Sequence, residues 1–130
     1  MERIRIHTSK RVELVDITEK IQQAVTKSMA EGGICVVFCP HTTAGLTINE
    51  NADFSVRQDM VAALNALVPA DAGYAHGEGN SDSHIKSSFY GASLSIIVEK
   101  GQLALGRWQG VYFCESDGPR SREVWVTTAG

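Results

Sequence analysis

The chain reads as an α+β domain: a mostly antiparallel sheet or sandwich packed with two main helices and a short third. Three observations predict this. Six or more short segments alternate polar and apolar residues, or run apolar, in the manner of strands. Two longer segments repeat apolar residues at helical spacing. Strands and helices do not alternate regularly, which argues against a parallel sheet built from βαβ units. A chain of 130 residues with 43% hydrophobic content is expected to form one domain, residues 1–130, with room for a core. Mean hydropathy is −0.09 and net charge −3. No basic field for nucleic acid is evident, and no apolar run approaches the roughly 20 residues of a membrane span. Met1-Glu2-Arg3-Ile4-Arg5 lacks the apolar block of a secretory signal, so the cytoplasm is the expected location.

Arg3–His7 and Arg11–Val15 alternate around the turn Thr8-Ser9-Lys10, so a hairpin is expected, with His7 on its solvent side. Asp16-Ile17-Thr18-Glu19 has the acidic form of a capping box. Ile21, Ala24, Val25, Ser28 and Met29 follow at helical spacing, and Gly32-Gly33 is expected to end the helix. Ile34–Cys39 is a continuous apolar run, predicted to be a central strand buried on both faces and closed by Pro40. The chain holds three cysteines, and Cys35 and Cys39 would lie ~13 Å apart along such a strand. A disulfide between them is excluded, and buried reduced thiols are expected at Cys35, Cys39 and Cys114.

Gly45–Ile48 returns to strand-like alternation. A second helix then carries Val56, Met60, Ala63, Leu64 and Leu67 as its apolar stripe, with Asp53 and Arg57 as an i,i+4 ion pair and Pro69 as its end. Further strands are read at Ser93–Val98, within Gln102–Leu105, at Val111–Cys114 and at Glu123–Thr128, with Asp117-Gly118-Pro119 as a turn. Trp108 is placed either in the core or on a pocket wall.

Chemistry concentrates in two places. Tyr74–Lys86 contains His76 and His84 around a segment of Gly, Glu, Asn, Ser and Asp with no apolar residue. A short helix capped by Ser81, Asp82 or Ser83 would place His84 in its first turn, where free amides favour anions. A solvated loop carrying two ordinary histidines fits the same residues. At the end of the apolar strand, His41-Thr42-Thr43 presents an imidazole and two hydroxyls from a rigid support. His41, His76 and His84 have the composition of a three-histidine zinc centre with one open position. Without metal they are acid–base groups near neutral pH. Glu50, Glu78 and Asp82 supply carboxylates for orienting a histidine or for magnesium. Thr42, Thr43, Lys86, Arg120 and Arg122 supply donors for phosphate.

The blocks His41–Asn51, Asp59, His76, His84–Ser88, Gly91, Gly106–Gly110 and Arg122 resemble the YjbQ-like family, labelled secondary thiamine-phosphate synthase, over nearly the whole chain. The resemblance implies a compact α+β homotrimer with its site near the histidines and close to a subunit boundary. The residues expected to act there are His41, His76, His84 and Glu50 in catalysis, with Asn49 among the substrate contacts. The resemblance also implies weak thiamine-phosphate synthesis from a pyrimidine diphosphate and a thiazole phosphate, releasing pyrophosphate. The segment between His76 and His84 is shorter than in some relatives, which leaves Glu78, Asn80 and Asp82 without a carried-over role. The expectation is therefore an enzyme on a phosphorylated small molecule, using a divalent metal (zinc, or magnesium). The other class the same residues allow is a non-catalytic trimer that binds a metal or an anion.

Overall fold

The computed structural model describes residues 1–130 and has eight strands and three helices. In chain order they are β1 (Glu2–His7), β2 (Glu13–Asp16), α1 (Thr18–Ser28), β3 (Gly32–Phe38), β4 (Ala44–Glu50) and α2 (Phe54–Leu67). They continue with α3 (Ser81–Ser88), β5 (Ser93–Glu99), β6 (Gln102–Leu103), β7 (Gln109–Glu115) and β8 (Ser121–Ala129). Every strand pair is antiparallel, and the fold class is the α+β one expected. No helix is long and apolar enough to cross a membrane.

Two sheets form, ordered β1-β8-β3-β5-β6 and β2-β7-β4. Their facing sides supply the main core: Ile6, Cys35, Val37, Ile96, Val98, Val124 and Val126 from the larger sheet, Leu46, Val111 and Phe113 from the smaller. Helix α1 closes this core with Ile21, Ala24 and Val25, the face its spacing predicted. A smaller cluster, Leu14, Tyr112 and Cys114, lies on the other side of the smaller sheet with Met60 and Val61 of α2 and with Tyr90. All three cysteines are buried and reduced. Gly45 is required where α3 ends against β4, because a Cβ there would come within 2.8 Å of the Tyr90 Cβ.

Several local expectations are corrected. β1 and β2 do not pair as a hairpin; β1 joins β8 and β2 joins β7. The intervening loop carries the chain between sheets, and the Glu13 carboxylate holds it by accepting the Ser9 and Lys10 amides at 2.6 Å. At α1 the Asp16 carboxylate accepts both the amide and the hydroxyl of Thr18, so Glu19 closes no box. The helix ends at Met29, in left-handed conformation at φ 62°, and Gly32-Gly33 already belong to β3. Asp53 caps α2 through the Ser55 amide instead of pairing with Arg57, whose guanidinium lies over Phe54 and Tyr112.

The apolar run of β3 is buried on one face only. Cys35 and Val37 are fully buried, whereas Ile34 is 46% and Phe38 40% exposed. Ile97, opposite Ile34 on β5, is 66% exposed. Helix α2 likewise has no buried residue, and its stripe rests only partly on the small cluster. A continuous run of β-formers signals burial on both sides, but within one chain nothing covers the outer face of the larger sheet.

Candidate functional site

The site forms where three strand ends meet α3. Pro40 stops β3, since it has no N–H for the ladder, and leaves His41-Thr42-Thr43 to cross to β4. The His41 ring takes the place of a further strand residue: Nε2 lies 3.0 Å from the Glu123 amide nitrogen of β8 and 3.2 Å from the Glu123 carbonyl oxygen, so the β8 backbone holds the ring through this one nitrogen. Burial, and next the Arg122 guanidinium, push the imidazole below its ordinary pKa, so it is neutral near pH 7.

Beneath it lies a buried ion pair that the sequence did not reveal as such. Arg122 of β8 donates Nε to Glu115 Oε1 at 2.9 Å and Nη2 to Glu115 Oε2 and to Thr43 Oγ1 (2.9 Å). The Glu115 carboxylate also accepts the Thr8 hydroxyl at 2.7 Å and the amides of Ser116 and Asp117 at 3.1 Å. Burial alone would push this carboxyl up. The bonds from Arg122 and Thr8 outweigh it and hold Glu115 below the ordinary carboxylate range. Glu115 thereby fixes the guanidinium by one edge, and none of the Arg122 hydrogen bonds uses Nη1.

His41, Thr42, Thr43, His84, Arg120 and Arg122 line one hollow of about 400 Å³ whose wall is polar apart from Pro40. Glu78, Asn80 and Asp117 complete its polar wall. Asn80 donates Nδ2 to Asp117 at 3.0 Å, and Arg120 holds the same carboxylate oxygen at 3.1 Å. Asn80 Oδ1 is buried with no protein partner. Helix α3 is tied to the site by Ser87, whose hydroxyl donates to the Thr42 carbonyl at 2.7 Å. A larger, more apolar groove of about 550 Å³ runs between β2 and α2, but it carries none of the expected site residues.

The placements divide the expected residues. His41, Thr42, Thr43, His84 and Arg122 do converge. His76 packs edge-on against His84, with ring centroids 5.6 Å apart, and does not line the hollow. No group of three or more His, Cys, Asp or Glu side chains is disposed to hold a metal ion, and His41 has already committed Nε2. The expected three-histidine centre does not fit the residues of one chain. Lys86 is corrected too: it lies on the far side of α3, 1% exposed, donating to Asp82 at 2.9 Å. Asn49 and Glu50 sit at the opposite end of β4 from Ala44, ~20 Å away along the strand. There Asn49 accepts the Glu50 amide, and Glu50 accepts the amide of Ala52. Glu115, Asn80 and Asp117 were missed as site residues. An acid directly after the apolar run Val111–Cys114 was the one available signal for Glu115.

Comparison with known proteins is consistent along the whole chain. Residues 2–130 match the family model described as UPF0047 protein YjbQ-like. A UPF0047 protein of Methanocaldococcus jannaschii is 52% identical over 97% of this chain and 91% of its own length. The UPF0047 protein YugU of Bacillus subtilis is 45% identical over 98% and 97%. Among solved structures, an uncharacterized conserved YjbQ/UPF0047 protein of Clostridium acetobutylicum superposes with a TM-score of 0.97. It is 48% identical and covers 99% of this chain and all of its own. A hypothetical protein of Aeropyrum pernix, 31% identical over 99% and 97%, gives a TM-score of 0.94.

Proposed function

The chain belongs to the UPF0047 family described as YjbQ-like, and from that premise we propose that its polar hollow is an enzyme site for a phosphorylated small molecule. One observation carries the reading: a buried arginine, clamped by Glu115 along one edge, lines a hollow whose wall is polar apart from Pro40, and it has Nη1 free of protein partners. A clamped guanidinium loses little freedom on meeting an oxyanion, and its charge-assisted hydrogen bonds to phosphate oxygens are among the strong ones. Arg120, the Thr42 hydroxyl and His84 supply further polar groups around the same space.

The reaction that suits these parts is weak thiamine-phosphate synthesis. The thiazole nitrogen forms a bond to the pyrimidine methylene carbon as the carbon–oxygen bond to diphosphate breaks, and pyrophosphate leaves with the electron pair. Its barrier falls when negative charge on the leaving group is neutralised, the task for which Arg122 and Arg120 are placed. Neutral His41 lines the same hollow and is the imidazole available to the departing oxygen. No step proposed here passes through a metal, since the imidazoles of one chain do not form a ligand set. Elemental analysis of the purified protein checks that part: stoichiometric zinc or magnesium would call for ligands from a second copy.

A second reading, a non-catalytic trimer that binds an anion, is favoured by the position of Glu50. The carboxylate expected to activate a nucleophile lies at the wrong end of β4, and Glu115 is consumed by its hydrogen bonds. In both readings the exposed Ile34, Phe38 and Ile97 support assembly into a homotrimer, measurable by light scattering after size exclusion. Turnover decides between the two. Purified protein is incubated with the two precursors, with and without chelator, beside His41→Ala, His84→Ala and Arg122→Lys. Product that disappears in Arg122→Lys and falls at least about tenfold in His41→Ala supports the enzyme. Product formation unchanged in all three variants removes it, and no turnover with retained pyrophosphate binding supports the binding protein.

A further inference from the structure

Helix α3 has a second polar face, and behind it lies a hollow that neither reading above uses. At ~100° per residue, Asp82 and Lys86 share one side of the helix, and His84 is roughly 200° round from Asp82. On the Asp82 side, the carboxylate takes the Arg11 guanidinium in two parallel bonds of 2.9 Å and the Lys86 ammonium at 2.9 Å. Asp82 is fully buried, Lys86 nearly so, and the carboxyl is held far below its ordinary range, chiefly by Arg11. Within this trio one carboxylate faces two cations; Asp117, the other acid that acts on Arg11, is itself held by Arg120 and Asn80.

The surplus positive charge borders a hollow of about 370 Å³ between the β1–β2 loop, the C-terminal part of α2 and α3. Its lining is Lys10, Arg11, Lys86 and Asn65 with the apolar Val12 and Ala70, and it includes no acidic residue. The nearby Glu13 carboxylate is engaged by the Ser9 and Lys10 amides. The ammonium of Lys86 has three hydrogens and a single protein hydrogen bond, to Asp82. A buried ammonium with unpaired hydrogens is costly unless an acceptor completes it. The Nη1 and Nη2 groups of Arg11 are already matched to Asp82, which leaves the ammonium groups of Lys10 and Lys86 as the cations of the lining without a carboxylate of their own on the hollow side. Such point-like donors suit a compact tetrahedral oxyanion better than a planar carboxylate, for which a guanidinium fork is the usual match.

We propose that this hollow is a second anion site, taking a phosphate group between Lys10 and Lys86, separated from the histidine hollow by the thickness of α3. The proposal does not depend on the reading of the histidine hollow. An anion there supplies the acceptor that Lys86 lacks, and it sits on the same eight-residue helix that presents His84.

Inorganic phosphate is the probe, titrated into the full-length protein at physiological salt while backbone amide shifts are followed. Saturable shifts at Lys10, Asn65 and Lys86 are expected, persisting in Arg122→Lys shown folded by circular dichroism, a substitution that lies in the histidine hollow and outside the lining of this one. Lys10→Glu and Asn65→Asp alter exposed or rim positions and leave the buried ion network intact. Each is expected to weaken the response at Lys86 at least about tenfold while sparing the response at Thr42. Lys86→Met, if circular dichroism shows it folded, is expected to abolish the site. The proposal is overturned if phosphate moves no amide around Lys86, or if Arg122→Lys removes every shift. It is equally overturned if Lys10→Glu binds as the parent does.

Discussion

β4 and β7 run side by side along the smaller sheet, and their two ends differ sharply. At one end, Ala44 faces Glu115, the neighbouring Thr43 and Arg122 are held by buried, charged hydrogen bonds, and His41 is held by the Glu123 backbone. At the other, Glu50 faces Gln109, and the adjacent groups are open: Trp108 is 54% exposed, and Asn49 and Glu50 bond to their own backbone neighbourhood. Both ends belong to the residue blocks that resemble the family in the linear sequence. The difference teaches that a short sequence block can be split between two places by a single strand, since seven residues of β4 span ~20 Å. One end is built as a preorganised site within one chain. The other is left open to solvent, with Trp108 exposed beside it.

The largest effect should come from breaking the preorganised end. Glu115→Ala leaves the Arg122 guanidinium buried without its counter-ion and frees Thr8 and two amides. Removing one partner of such a pair costs about 3–5 kcal/mol, so chemical denaturation should show a large fall in midpoint. Glu50→Ala at the open end should not approach it. Comparable losses at the two ends would erase the distinction.

Titration separates the ends next. The Glu115 carboxyl lies below its ordinary value of 4.5 in the folded chain, so the unfolded chain binds the extra proton first as pH falls. Its contribution is present in full above about pH 4.5 and is lost progressively as pH falls through the folded pKa. Asp82, with Arg11 and Lys86, acts in the same direction from 3.8 downward. Unfolding free energy measured against pH should therefore decline on the acid side, and Glu115→Gln should flatten the upper part of that decline while lowering the plateau. An acid limb unchanged in Glu115→Gln would mean that the pair is not ionised in the folded chain.

How much of this was legible follows from the same contrast. The α1 face, the eventual strands and the reduced cysteines were readable because periodicity reports burial directly. The grouping of His41, Thr43, His84 and Arg122 was readable because strand ends and helix starts are where polar groups can be held. Lys86 and Glu50 were misplaced for a geometric reason: chemistry assigns a residue type to a site, but only the phase of a helix or the length of a strand assigns its position. Lys86 is two residues from His84, and that spacing is enough to turn it to the other side of α3. The β1–β2 hairpin failed because alternation specifies a strand and not its partner. Both-face burial of β3 failed because an apolar run reports β-propensity on both faces, while only the Cys35 and Val37 face meets the core.

The smallest expected effect is the most discriminating. Glu50→Ala removes a carboxylate whose contact is the exposed amide of Ala52, so monomer stability should change by no more than about 0.5 kcal/mol. If the hollow around Arg122 acts with residues of its own chain alone, pyrophosphate affinity and precursor turnover should stay within about twofold of the parent. If the open end of a second copy closes the site, turnover should drop steeply in Glu50→Ala while thermal stability and pyrophosphate binding hold. Mixing His41→Ala with Glu50→Ala chains would then restore part of the activity, because mixed assemblies contain boundaries with both residues intact. Recovery on mixing places Glu50 in the site across a subunit boundary, and its absence with full single-variant activity assigns Glu50 to the surface.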